Sequence, residues 1–266
     1  MRLKKRITVI GLVSLFSWVT TLFAAEQHIR FDLLSIKDGL SQSSINAVVQ
    51  DKQGFIWIGT QDGLNKYDGY SFTAYYHDPE DSLSICDNFI RGLEVDSAGN
   101  IWIGTDNGLS KFNSRTETFT SYYHISGDKT SPVGNAVRGM DFDNSGILWV
   151  GTANSGVYSF NPKTEKAIQY QAGGTGTLSS NNILALLADN NNNIWIGTDG
   201  SGICQFNREK QSFVTPFSSG YSIGNVIHTF YQDINNNLWI GTNEGLLLSE
   251  NPKIEKGKIQ VQDIAL

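Results

Sequence analysis

Cysteine is nearly missing: Cys86 and Cys204 are the two in 266 residues, 118 positions apart. That excludes the disulfide framework of small secreted domains and leaves the core to stand on packing. Proline is also scarce, at 5 against 27 glycines, a balance that suits many tight reversals between short strands and no long helices. Basic residues are in deficit, 20 Lys and Arg against 26 Asp and Glu. Sustained hydrophobicity is confined to Ile7–Phe23, 17 residues without a charge, preceded by MRLKKR and followed by Ala24 and Ala25. This reads as a secretory signal over 1–25, with an uncleaved anchor as the competing reading because 17 residues is the lower limit for spanning a bilayer. The segment holds four of the bases and none of the acids, so without it the net charge falls from −6 to −10. A surface of that sign repels phosphate backbones, which excludes nucleic acid as a partner.

What the chain has in abundance is one phrase. FIWIGT begins at Phe55, NIWIGT at Asn100, ILWVGT at Ile147, NIWIGT at Asn193 and NLWIGT at Asn237. Their tryptophans, Trp57, Trp102, Trp149, Trp195 and Trp239, are spaced 45, 47, 46 and 44 residues apart. A unit of about 40–50 residues holding several short strands is the signature of a β-propeller blade, which buries with its neighbours the faces it cannot bury alone. The expected architecture is an all-β propeller of four-stranded antiparallel blades over 26–266. Five blades are visible, at about 37–82, 83–129, 130–176, 177–220 and 221–266.

Each repeat divides into four strands. Twelve residues before the tryptophan stand Ile45, Ile90, Val137, Ile183 and Ile227, and two positions later a small residue, Ala47, Gly92, Gly139, Ala185 or Thr229. This is the innermost strand, where blades converge and bulk is excluded. Six residues before the tryptophan is always an aspartate (Asp51, Asp96, Asp143, Asp189, Asp233), followed three later by Gly54, Gly99, Gly146, Asn192 or Asn236. That is turn chemistry: the aspartate caps its own turn and Gly or Asn tolerates positive φ. Calcium is the rival reading for stretches such as DNNNN, weakened by the lack of a twelve-residue loop with its closing Glu. The tryptophan, aligned five times, is a packing element of the second strand. The third strand places Tyr67, Phe112, Phe160 and Phe206 four residues after a glycine, and the fifth repeat breaks the rule with Ser249.

Ring closure is the open question. IRFDLLSIKDGLS, ahead of the first repeat, matches the outer strand and link of the others, yet Lys258 to Ile264 could itself be the fifth blade's outer strand. Both cannot serve without leaving a surplus edge. The expectation is an incomplete ring in a partial chain.

The combined pattern D-x-x-G-x-[IL]-W-[IV]-G-T-x-x-G-[LVI] resembles the two-component regulator propeller family, over about Arg30 to Leu248. The resemblance implies an extracytoplasmic ligand-binding sensor, in complete members usually two linked propellers, a β-sandwich, a membrane helix and a cytoplasmic histidine kinase or diguanylate cyclase. These 266 residues contain no phosphoacceptor-histidine region, nucleotide-binding box or GGDEF string, so the expectation is a sensing part without its own output.

A ligand would sit at a mouth of the central channel, where repeats differ. Eleven residues before the tryptophan come Asn46, Arg91, Arg138, Leu184 and His228; fourteen before come Ser43, Asn88, Asn135, Asn181 and Asn225. The site residues expected from these columns are Arg91, Arg138, His228, Asn46, Asn88, Asn135 and Asn225. Two guanidinium groups in adjacent blades of an acidic protein could clamp a carboxylate or sulfate. The competing reading pairs them with Glu94 and Asp141, and makes the asparagines strand-start residues bonding backbone. His77 and His124 match on outer strands, which diverge, so no metal site is expected there. No cofactor is implied, and no catalytic constellation stands out, so the chain is read as a binding module and not an enzyme. The expected ligand is a small molecule, peptide or saccharide, with a membrane-bound signalling protein as a further partner. A docking scaffold or a propeller lyase or hydrolase is the alternative.

Overall fold

A computed structural model of the chain describes residues 31–125, 131, 136–215, 224–252, 259 and 261–264. The expected signal segment and Asn135 lie outside these. Twenty strands form five antiparallel sheets of four, each running in chain order from first strand to fourth. Blade 1 is β1 (Ile45–Gln50), β2 (Ile56–Thr60), β3 (Leu64–Tyr67) and β4 (Phe72–Tyr75). Blade 2 is β5 (Ile90–Val95), β6 (Ile101–Thr105), β7 (Gly108–Asn113) and β8 (Thr118–Tyr122). Blade 3 is β9 (Val137–Phe142), β10 (Leu148–Thr152), β11 (Val157–Asn161) and β12 (Lys166–Tyr170). Blade 4 is β13 (Ile183–Ala188), β14 (Ile194–Thr198), β15 (Ile203–Asn207) and β16 (Ser212–Val214). Blade 5 is β17 (Ile227–Gln232), β18 (Leu238–Thr242), β19 (Gly245–Ser249) and β20 (Gln262–Ile264). The fourth strand of blade 5 is thus its own, and residues 31–34 form no strand.

The aspartate turn does two jobs in every blade. One carboxylate oxygen of Asp51 accepts the amides of Gln53 and Phe55 at 2.9 and 3.0 Å. The other accepts the Trp57 indole N–H at 2.8 Å. The same indole bond recurs at Trp102, Trp149, Trp195 and Trp239, at 3.1, 2.9, 2.9 and 3.0 Å. A tryptophan can therefore be buried whole, because its single polar atom has a partner. Asn192 and Asn236 take φ of 65° and 64°, where the other blades use glycine.

Blades join through a second repeated device. β1 packs beside β5, β5 beside β9, β9 beside β13 and β13 beside β17. At each joint the first inner-strand residue lies on the glycine of the preceding Trp-x-Gly-Thr: Ile90 on Gly59, Val137 on Gly104, Ile183 on Gly151 and Ile227 on Gly197. The tryptophan then reaches the next blade's third strand, Trp57 to Phe112 at 4.8 Å and Trp149 to Phe206 at 4.8 Å. A Cβ at Gly197 would stand 2.7 and 2.8 Å from two carbons of Ile227. Gly197→Ala is accordingly expected to cost about 1–3 kcal/mol by overpacking. Gly241→Ala, whose nearest obstacle is the exposed Thr229 methyl of its own blade, should cost under about 1 kcal/mol. Urea unfolding of both variants checks the contrast.

Cys86 and Cys204 are buried free thiols in different blades, facing the hydroxyls of Thr105 and Ser179 at 3.2 and 3.1 Å.

Candidate functional site

The inner strands carry an irregularity that bears on the site. In each blade the register slips by one residue near the strand's start, between Ile45 and Ala47, Ile90 and Gly92, Ile183 and Ala185, and Ile227 and Thr229, with the matching slip at Gly151 and Thr152 opposite β9. The residue left out of the ladder is Asn46, Arg91, Arg138, Leu184 or His228, the mixed column picked out in the sequence. A bulge bends its strand and re-aims the extra side chain, and bulges concentrate beside binding sites.

What each bulged residue reaches is visible in the polar contacts. Arg91 makes a bidentate pair with Asp106, Nε to one carboxylate oxygen at 2.7 Å and a terminal nitrogen to the other at 2.9 Å. Its guanidinium carbon lies 4.0 Å from the Phe89 ring centroid. Asp106 sits in the β6–β7 turn, and its carbonyl accepts the amide of Ala136 at the start of blade 3. Glu94, the partner in the competing reading, is therefore not the one used: the bulge turns Arg91 toward the turn, not down the strand. Arg138, the same position one blade on, has a buried Nε without a hydrogen bond. Asn46 donates to the Ile90 carbonyl of blade 2 at 2.8 Å, and His228 is exposed.

Asn88 and Asn181 bond backbone on both sides. Their side chains accept the amides of His77 and Ala172 at 2.7 and 2.8 Å, and their carbonyls accept Gly63 and Gly156 of the preceding blade. The Asn225 carbonyl likewise accepts Gly200 and Gly202. These asparagines stitch blade to blade. His77 places Nδ1 against the Ile85 carbonyl at 2.6 Å, and His124 is exposed.

The sequence reading missed the turn residues opposite the bulge. Four positions after the tryptophan stand Gln61, Asp106, Ala153, Asp199 and Asn243, as varied as the bulge column itself. Asp199 accepts the Asn182 side chain at 2.9 Å, so blade 4 sets a second acid on this face. The signal was present: this column follows an invariant Gly-Thr and changes charge from blade to blade.

Glu94 and Asp141 lie three residues further down the inner strands. Burial, reinforced by the Asp141 charge, raises the Glu94 carboxyl to about 7. Burial also raises Asp141 to about 6, against the pull of the Ala188 amide, which it accepts at 2.8 Å. Two crevices of about 460 and 450 Å³ open between blades 2 and 3 and between blades 3 and 4, at the aspartate-turn end, away from the bulges. Among the described residues no group of His, Cys, Asp and Glu could hold a metal ion.

Residues 39–62, 84–107, 177–200 and 221–244 match the family described as two component regulator propeller. The chain belongs to this family. Among solved structures, this regulator propeller is similar to the extracellular domain of the hybrid two component system BT3049 from B. thetaiotaomicron. That match has 29% identity and a TM-score of 0.76, covering 86% of this chain and 31% of that one. It also shares its fold with the extracellular domain of the one component system BT4673 of the same organism, at 19% identity and TM-score 0.71, covering 89% of this chain and 33% of that one. A curated relative, Histidine kinase P4 of Formosa agariphila, is 49% identical over 74 residues, 27% of this chain and 5% of the kinase. The regulator propeller thus spans about a third of those extracellular domains and a small part of the kinase.

Proposed function

We propose that this propeller is the ligand-recognising part of an extracytoplasmic sensor, binding a small carboxylate- or sulfate-bearing molecule, such as an acidic saccharide or organic acid, at the bulge-side mouth. A membrane-bound kinase or cyclase is the partner that reads the bound state. The reading rests on one observation: the chemically mixed column of the inner strand is the bulged one in all five blades. Two arginines occupy it in neighbouring blades, one already holding a carboxylate in the bidentate geometry that a ligand would copy. The similarity to extracellular domains of two component systems supports the same location and role.

A thermal-shift screen of the purified protein against uronic acids, sulfated sugars and dicarboxylic acids tests it. At a hundredfold excess over Kd, a bound ligand adds about 2.7 kcal/mol, roughly 5–10 °C for a chain of this size. Arg138→Ala should erase that shift while leaving the unliganded Tm within a few degrees. A shift that survives Arg138→Ala and Arg91→Ala together would sink the assignment.

A further inference from the structure

Arg91 and Arg138 occupy the same bulge in neighbouring blades, yet blade 2 holds its arginine and blade 3 does not. Two groups engage Arg91: the Asp106 carboxylate, at 2.7 and 2.9 Å, and the Phe89 ring, whose centroid lies 4.0 Å from the guanidinium carbon. One backbone bond fixes both, the Asp106 amide donating to the Phe89 carbonyl at 3.2 Å. The same bond recurs in all five blades, and in blade 3 it runs from Ala153 to Ala136 at 3.0 Å. Blade 3 therefore has the same two backbone positions beside its arginine, and each carries only a methyl group. In blade 4, whose turn is as long as that of blade 3, Asp199 reaches the Asn182 side chain at 2.9 Å, so an acid at this position of the longer turn still leans on the strand start.

Among the described residues, acids pair with Lys66, Arg91 and Arg208, and none with Arg138. The Arg138 Nε is buried without a hydrogen bond, while Ala136 and Ala153 are partly accessible. A buried donor with no acceptor is costly and calls for an explanation. We propose that a ligand supplies what blade 3 lacks, a choice of ligand that rests on the recognition role given above to this mouth, and that the ligand is a carboxylate carried on a ring. Its carboxylate takes the place of the Asp106 side chain, bidentate on Arg138. Its ring takes the place of Phe89, against the guanidinium face. Ala153 and Ala136 are then specificity-determining residues, the first giving space to the charge and the second to the ring.

Thermal shifts of the full chain with millimolar benzoate, acetate and benzamide test this, the last two being the charge without the ring and the ring without the charge. Benzoate should raise Tm, acetate should raise it less, and benzamide should leave it unchanged. Ala153→Asp supplies the acid from the protein itself. It should raise the unliganded Tm by about 2–4 °C and abolish the benzoate response, and with Arg138→Ala as background it should not raise Tm. Ala136→Phe fills the place of the ring and should make benzoate no better than acetate. Equal responses to benzoate and acetate in the parent would overturn the ring requirement while leaving an anion site at Arg138. A benzoate response undiminished by Ala153→Asp would overturn the placement of the carboxylate. No response to either anion would overturn the inference and the recognition role together. Should Ala136→Phe fail to fold, the parent and Ala153→Asp measurements decide alone.

Discussion

Asp143→Ala is expected to unfold at a Tm roughly 6–20 °C below the parent, a loss of about 3–5 kcal/mol. The side chain is fully buried and serves four donors at once. One oxygen accepts the Ser145 and Ile147 amides at 2.9 and 3.1 Å. The other accepts the Trp149 indole at 2.9 Å and Arg208, reaching over from blade 4, at 2.8 Å. Against the cost of burial, the indole and the guanidinium hold this carboxyl below the usual range. Truncation leaves the turn uncapped, an indole N–H without an acceptor and a half-buried cation without its anion, and each is a separate penalty. Asp51→Ala removes the same turn and indole bonds with no arginine involved, and should lose about 2–3 kcal/mol. Equal losses at the two sites would show that Arg208 adds nothing to the blade 3–blade 4 joint.

Stability should fall as pH rises from about 5 to 8, by on the order of 3 kcal/mol. Burial raises Glu94 and Asp141 in the folded protein to about 7 and about 6, above their ordinary values of 4.5 and 3.8. Over that window the folded state holds more protons than the unfolded chain. The stabilisation is complete below the unfolded values and is lost as pH climbs through the folded ones. The depressed turn aspartates, Asp96 and Asp143, act in the opposite sense and lose their contribution only in acid. A stability maximum at roughly pH 5 follows. Urea midpoints at three pH values measure the slope, and the paired change Glu94→Gln with Asp141→Asn should flatten it. A slope that persists in that double variant would assign the effect elsewhere.

The framework was readable because it is repeated: each of Asp143, Trp149 and Gly151 is one of five aligned examples, and a residue type fixed five times declares a backbone or packing constraint. The partners were not readable. The competing reading set Arg91 beside Glu94, three residues along the strand, but the one-residue bulge turns it away and hands it to Asp106, fifteen residues away. The indole bond of each aspartate escaped notice because the carboxylate already had a sufficient role in the turn.

Because the outermost strand of blade 5, Gln262–Ile264, hydrogen-bonds within its own sheet, each of the five described sheets is built from one continuous stretch of chain. Each stretch of about 45 residues is therefore both a covalent segment and a finished sheet. Duplicating or excising one whole segment, from aspartate turn to aspartate turn, would strand no hydrogen-bonding edge and would leave the joints on either side chemically matched. In such a chain, blade number can change by recombination without any new side chain having to arise.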